Sequence, residues 1–362
     1  MSNRTNIYYW KCDRPDSFAT LGKKWYGPER EQLETSLYKL CGTIFDDGDY
    51  TLEKTLGQGN HRNYIVTHKG KPYLIRVENS HDKDDYMIVE TEVIRRVAAL
   101  GIPVPHIICV DTSRTTYPFT FQIMEYYSMP DINGIYKKGE LDTTAIMYQL
   151  GRLIARWQDV FTDGFGLFNT DLLRCEGILK GLCDTYPDYY RLNLDIHLDF
   201  LVDRNFISSS FAGEIRTAIN KHAGLLELGC GCLVHKDIAF WNILGTNDCI
   251  ESVIDWDDTI MGDPTDDLSL MACYHSWKEL RLLLEGYQAE KLLPENFEGR
   301  FWMHLLRNIL FKAVIRVGAG YFDKDRKFFL IEQDGNGLKV FTHARLVAAF
   351  EGLRGNIKIS DL

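Results

Sequence analysis

Leu233-Val-His235-Lys236-Asp237-Ile-Ala-Phe-Trp-Asn242-Ile-Leu244 is the stretch that decides the fold, read together with Val253-Ile-Asp255-Trp-Asp-Asp258 and Gly262-Asp263-Pro264-Thr-Asp-Asp267-Leu268. An Asp and an Asn five residues apart lie in a loop bounded by two aliphatic runs, and another Asp follows the short apolar run Ser252-Val-Ile254. Such runs, broken by polar clusters, predict short strands joined by loops. A strand–loop–strand hairpin would bring Asp237, Asn242 and Asp255 to one end. Two hard oxygen ligands beside a third carboxylate suit Mg²⁺, which takes carboxylate and amide oxygens together with substrate phosphates. The remaining carboxylate is then placed to accept a proton from an attacking hydroxyl, as phosphoryl transfer requires.

Upstream, the texture is that of a sheet. Tyr50-Thr-Leu-Glu-Lys-Thr-Leu56, Asn63-Tyr-Ile-Val-Thr67 and Pro72-Tyr-Leu-Ile-Arg-Val77 read as strands, with Gly57-Gln-Gly59-Asn60 and Lys69-Gly70-Lys71 at the joints. Glycines there favour hairpin turns, so the region predicts an antiparallel meander. A helical pattern covers 84–100 and is closed by Gly101, Pro103 and Pro105. Strand-like runs follow at 106–110 and 119–125. Past Tyr127 the pattern is helical: Ile146, Leu150, Leu153, Ile154 and Trp157 form one apolar stripe, and 213–228 and 301–317 are further helices. Leu33, Leu37 and Leu40 share a face of a helix over 31–40. The order predicts an α+β fold of two lobes, a small antiparallel sheet and a larger, mainly helical body.

The composition excludes several classes. The 362 residues are 45% hydrophobic and 25% charged, ordinary for a globular chain. With 41 basic and 51 acidic residues the net charge is −10, and no basic run offers a nucleic-acid backbone a landing site. Nine scattered cysteines do not form a disulfide framework and predict reduced thiols in a cytoplasmic setting. Cys230-Gly-Cys232, with His235 after it, lacks a second ligand pair at zinc-site spacing. Residues 1–10 have no signal-peptide core, and no apolar run approaches the ~20 residues of a bilayer span, so no membrane partner is expected.

His235-x-Asp237-x-x-x-x-Asn242 resembles the catalytic loop of the aminoglycoside phosphotransferase and choline kinase superfamily, distant relatives of protein kinases. Ile254-Asp255-Trp256-Asp257-Asp258, with Gly262-Asp263-Pro264 and Asp267-Leu268 after it, is similar to that family's metal-binding segment and the helix start beyond it. The resemblance spans roughly residues 50–275 and implies a bilobal protein-kinase-like fold. On it, 1–49 is an N-terminal extension, 50–127 a nucleotide-binding lobe, and 128–362 a helical lobe with catalytic loop and acceptor site. It further implies that Asp237 is the catalytic base or hydroxyl-orienting carboxylate and that Asn242 and Asp255 hold Mg²⁺. His235 would be structural, and Asp267 would support the loop by hydrogen bonding, although a plain helix-capping role explains an acid there equally well. Gly57 and Gly59 would belong to a nucleotide-covering loop, where backbone N–H groups approach phosphates; any hairpin uses such glycines too. Arg76 stands where protein kinases carry a phosphate-binding lysine. Glu90 would be its carboxylate partner, with Glu92 turned to another side of the helix. Phe121-Gln-Ile-Met124-Glu125-Tyr126-Tyr127 resembles the hinge that reads a purine through backbone groups, which adds Glu125 and Tyr126 to the nucleotide site. Lys236 and Phe240-Trp241 depart from the family pattern and would lie at the mouth of the acceptor pocket; Trp157, where relatives often have histidine, is read as core.

These expectations amount to an ATP-dependent (GTP possible), Mg²⁺-assisted phosphotransferase acting on a hydroxyl of a small molecule, an aminoglycoside-type antibiotic or a sugar or amino-alcohol metabolite. Asp195, Asp199 and Asp203, spaced by four, line one helix face that would attract a polycation or simply face solvent. Residues 162–168 are similar to the hygromycin-type branch. The alternatives are a nucleotide-binding pseudoenzyme or scaffold and a protein kinase. Against the last, no Asp-Phe-Gly occurs at Asp255 and no Ala-Pro-Glu follows.

Overall fold

The computed structural model describes residues 4–14, 28–45, 48–54, 61–80, 82–324 and 334–362. The predicted meander is present as β1 (Tyr50–Lys54), β2 (Arg62–His68) and β3 (Lys71–Glu78), and the two later strands β4 (Ile107–Asp111) and β5 (Thr120–Glu125) extend it in the order β1-β2-β3-β5-β4, with every neighbour antiparallel. Lys69 and Gly70 both have positive φ, 49° and 77°, as a two-residue hairpin turn requires, and they set His68 opposite Lys71. One face of the sheet presents Val66, Ile75, Val77, Phe121 and Ile123 to Leu33, Leu37 and Leu40 of the helix Pro28–Ile44. That helix precedes residue 50 yet packs as part of the small lobe. The other face carries Arg76 opposite Gln122, and Gln122 donates to Thr91 of the helix Met87–Ala99 at 2.8 Å. This helix starts three residues later than the pattern suggests, because Asp84, Asp85 and Tyr86 are engaged in tertiary contacts instead.

The large lobe contains β6 (Phe165–Phe168), β7 (Gly181–Cys183), β8 (Cys232–Val234), β9 (Ile243–Gly245), β10 (Ile250–Val253) and β11 (Ile260–Gly262). Here the expected hairpin needs correction. β8 pairs with β11 in the order β7-β6-β11-β8, while β9 pairs with β10. The segment between β8 and β9 is too long for a hairpin turn, whereas the short 246–249 connection closes one. Asp237 therefore follows β8, Asn242 enters β9, and Asp255 follows β10.

Helix Thr143–Trp157, capped by Asp142 accepting from the Ala145 N–H at 3.0 Å, lies against helix Trp277–Gln288 at backbone distance. A Cβ on Gly151 would fall 2.0 Å from the Leu283 carbonyl oxygen, and one on Gly286 2.0 Å from that of Tyr148. Helix Phe297–Gly318 runs through the middle of the lobe and is buried on nearly all sides. Residues 4–14 are built into this body: Tyr8, Tyr9 and Trp10 belong to its apolar core, and the Arg307 guanidinium lies 3.6 Å from the Tyr8 ring centroid. Among the described residues no helix is long and apolar enough to cross a membrane.

Candidate active site

The loop after β8 is held from below by Asp267. Its carboxylate accepts from the backbone N–H groups of His235 (2.8 Å) and Lys236 (3.0 Å) and from the Trp157 indole (3.1 Å). This is the supporting role expected of Asp267, and it explains why the buried Trp157 is more than filler. Burial pulls the His235 imidazole down to about 4, so the ring is neutral; Nε2 donates to the Ile254 carbonyl at 3.1 Å and Nδ1 accepts from the Asp237 N–H at 3.3 Å. His235 thus ties the strand before Asp255 to the loop carrying Asp237.

Lys236 (φ 68°) and Asp255 (φ 66°) both adopt left-handed backbone, strained for residues with a Cβ and fixed here by the packing around them. The turn at Lys236 corrects one expectation. Its side chain does not reach an acceptor mouth but points inward, bonding Asp266 (2.7 Å), Tyr8 (2.9 Å) and Asn308 (3.0 Å) with no exposure to solvent. Phe240 is likewise buried, against Tyr136 and His275, and Trp241 packs on Tyr274.

Asn242 meets Asp237 directly, and its backbone carbonyl accepts from the Ile254 N–H at 3.0 Å, one residue before Asp255. Asn242 donates from Nδ2 to the Asp237 carbonyl at 2.8 Å, with the Asp237 carboxylate at 3.5 Å, which leaves the amide oxygen as its acceptor end. Arg76 on β3 reaches across the lobes: Nη2 donates to Asp255 at 3.1 Å, and Nη1 pairs with Glu90, which is fully buried. Glu92 instead pairs with Arg96 one turn along the helix at 2.8 Å. Burial, reinforced by neighbouring Asp257, pushes the Asp255 carboxyl up to about 7, and burial together with Asp257 takes Asp258 to about 6. Among the described residues neither Asp258 oxygen has a hydrogen-bond partner, and the nearest cations are Lys11 at 3.5 Å and Arg4 at 3.8 Å. The pocket therefore holds more carboxylate than its protein cations neutralise, and its hard-oxygen donors, the Asn242 amide and the Asp255 carboxylate, fit Mg²⁺.

Two functional neighbours escaped the sequence reading. The Asp237 carboxylate is gripped by two ammoniums, Lys11 Nζ at 2.8 Å from Oδ2 and Lys312 Nζ at 2.5 Å from Oδ1. Burial alone would raise Asp237, but the two lysines outweigh it and hold the carboxyl well below its usual range. Lys312 had a visible cue, a lysine between the apolar runs 309–311 and 313–315 of one helix. Lys11 had none.

The remaining expected residues are less committed. Gly57 and Gly59 lie outside the described residues. At the hinge, the Glu125 N–H bonds the His106 carbonyl (3.0 Å) and the Tyr126 N–H that of Pro72 (3.4 Å), so those two donors are already used by the sheet edge; the Glu125 carboxylate pairs with Lys71 at 2.8 Å. The acidic face is also occupied, since Arg216 bonds Asp195 (2.6 Å) and Asp199 (2.5 Å) at the surface. An open cavity of about 550 Å³ lined by Phe206, Phe211, His343 and Val347 shares no residue with this site.

Residues 53–302 match the model of the phosphotransferase enzyme family. Among solved structures, the chain is similar to aminoglycoside phosphotransferase APH(4)-Ia, with TM-score 0.60 and 17% identity over 88% of this chain and 99% of that one. A thermostable mutant of the same protein in ternary complex with AMP-PNP and hygromycin B gives TM-score 0.61 at 18% identity, covering 88% and 98%. A putative fructosamine-3-kinase from Haemophilus somnus 129PT gives 0.56 at 12%, covering 82% and 91%. No curated protein sequence matches. The likeness shows the fold: a kinase-like arrangement of a five-stranded antiparallel small lobe on a mainly helical large one.

Proposed function

This chain belongs to the phosphotransferase enzyme family, and on that premise we propose that it moves the γ-phosphoryl group of ATP, with Mg²⁺, to a hydroxyl of a small molecule. The observation that carries the reading is the direct contact of Asn242 with Asp237, with Asp255 joined to Asn242 through the Ile254 backbone and Arg76 and Glu90 brought to Asp255 from the other lobe. Asp237 orients the acceptor hydroxyl and takes its proton. Asn242 and Asp255 would hold Mg²⁺, which when bound supplies positive charge to the phosphate oxygens. Arg76, fixed by Glu90, presents a guanidinium to the nucleotide phosphates; its planar fork serves the role a lysine has in protein kinases. Gly57 and Gly59 are proposed for the covering loop, and the segment at Glu125 and Tyr126 for the base, read through backbone atoms other than the two N–H groups already bonded. ATP is the proposed donor, with GTP to be tried beside it, and the cytoplasm the proposed setting. A solved relative binds hygromycin B and another is named a putative fructosamine kinase, so the acceptor is sought among aminoglycosides, sugars and amino alcohols.

The test is ADP release from ATP or GTP with Mg²⁺ across those three acceptor classes, for the wild type and Asp237→Asn. The substitution should lower kcat by about 10²–10⁴ while calorimetric binding of ADP with Mg²⁺ is retained. Full turnover by Asp237→Asn would refute the assignment, and nucleotide binding without turnover on any acceptor would favour the scaffold alternative.

A further inference from the structure

The charge around Asp237 is supplied from outside the family-matched region. Residues 53–302 contain the acids of the site, but both ammoniums on Asp237 come from flanking segments, at residues 11 and 312. The loop from Asp237 to Asn242 carries no cation of its own. Arg76 stands on Glu90 and Asp255 rather than on Asp237, and Lys236 is buried against Asp266. Of the two lysines on Asp237, Lys312 is almost enclosed, with 9% of its side chain exposed, whereas Lys11 has 28% exposed and also approaches Asp258 to 3.5 Å.

We infer that Lys11 is a catalytic residue: its ammonium meets the γ-phosphoryl oxygens during transfer, delivered to the site by the amino-terminal segment. This rests on the phosphotransferase reading of Asp237. The segment is built to hold the lysine in place. Arg4 pairs with Asp84 and donates to the Asp257 carbonyl, tying the segment to both sides of the site. Asp13 accepts from the Tyr8 and Tyr9 N–H groups (2.9 and 3.1 Å) and is bonded by His197 at 2.6 Å, which fixes the turn on which Lys11 sits. Tyr8 accepts from Lys236, on the residue next to Asp237. With the segment fixed this firmly, only the lysine side chain has to move when charge develops beside it.

The acceptor oxygen bonds the γ-phosphorus while the bond from that phosphorus to the bridging oxygen breaks, and ADP leaves with the electron pair. The acceptor proton passes to Asp237. Charge spreads over the three γ-oxygens in the loose transition state, and Lys11, next to Asp237, is the ammonium placed to shift onto them. Lys312 stays on the carboxylate and keeps it oriented.

The experiment measures ATP hydrolysis with Mg²⁺, water serving as acceptor, for the wild type, Lys11→Met, Lys11→Arg and Asp237→Asn. Lys11→Met is expected to lower kcat by about 10²-fold, with KM for ATP within about threefold, since the contact is made in the transition state. Lys11→Arg is expected to recover at least about tenfold of that loss by restoring the charge. Thermal melting checks folding, and Lys11→Gln replaces Lys11→Met should the latter not fold. Unchanged kcat in the neutral variant would overturn the inference by reducing Lys11 to a structural role. Increased kcat would overturn it in the opposite sense, showing that the ammonium obstructs Asp237. If Asp237→Asn stays active, the phosphotransferase reading of Asp237 itself fails; if Asp237→Asn is inactive and Lys11→Met fully active, only the Lys11 inference fails.

Discussion

Replacing Arg4 by Met asks whether the amino-terminal segment unfolds with the rest of the molecule. The Arg4 side chain is fully buried; Nε and Nη2 donate to the two Asp84 oxygens at 3.0 and 2.8 Å, and Nη1 to the Asp257 carbonyl at 2.6 Å. Its guanidinium also lies 4.0 Å from the Tyr86 ring centroid and 4.6 Å from that of Trp10. Met fills much of the volume but leaves the buried Asp84 carboxylate without its counter-charge. Breaking a buried pair from one side costs about 3–5 kcal/mol, and the stranded Asp257 carbonyl contributes about 1 kcal/mol or more. For a chain of this size roughly 2 °C of Tm follows each kcal/mol, so the melting curve by circular dichroism should move down by about 8–12 °C. Adding Asp84→Leu removes the orphaned charge and should restore at least half of the loss, because an apolar pair of similar volume often replaces a buried ion pair at little cost. A fall below about 2 °C, or a double variant no more stable than Arg4→Met, would refute the claim that this segment is anchored by that pair.

Two further outcomes follow from the same geometry. Glu90→Gln keeps the shape but removes the charge that holds Arg76. A charge-assisted hydrogen bond contributes about 1.5–3 kcal/mol, so KM for ATP should rise about tenfold or more; Glu92→Gln, at a half-exposed pair one turn away, should leave it unchanged. His275 is packed on Phe240 and pulled down to about 4, chiefly by burial, with Glu279 opposing and Arg345 assisting. Its unfolded value is about 6.5, so between those two values the unfolded chain binds more protons. The stabilising contribution is complete above about pH 6.5 and is lost as pH falls through 4, reaching about 3 kcal/mol. Tm measured from pH 7 to pH 4 should therefore fall less steeply for His275→Gln than for the wild type, and equal slopes would exclude this histidine as the cause.

What could be read from the sequence is what is encoded locally. Asp237, Asn242 and Asp255 sit in short loops whose flanking apolar runs fix where the strands stop. Glu90 is found by counting back from Gly101 along a helix whose face is set by its period. The failures share a different cause. Lys11 and Asp237 are 226 positions apart, Arg4 and Asp84 are 80 apart, and Lys312 and Asp237 are 75 apart. No period or turn signal connects such pairs; only packing does. Lys236 was misplaced because a residue in the left-handed region turns its side chain to the side opposite the one a loop position suggests. Glu125 and Tyr126 were placed by their order in the chain, and order does not reveal that the sheet edge already uses their N–H groups.

The division of charge between the matched region and its flanks has a consequence for how the site is held. Asp257 is answered by His61 at 3.1 Å and Asp255 by Arg76, both from the small lobe within the matched region. Asp237 and Asp258 depend instead on residues 11, 312 and 4, with Lys11 facing both acids and Arg4 3.8 Å from Asp258. Two of these acids are thus met by side chains of the small lobe, and two by segments anchored in the helical body. Like charges crowded in a buried pocket repel unless each is paired. The flanking segments are consequently as much a condition for bringing these acids together as the loops that carry them.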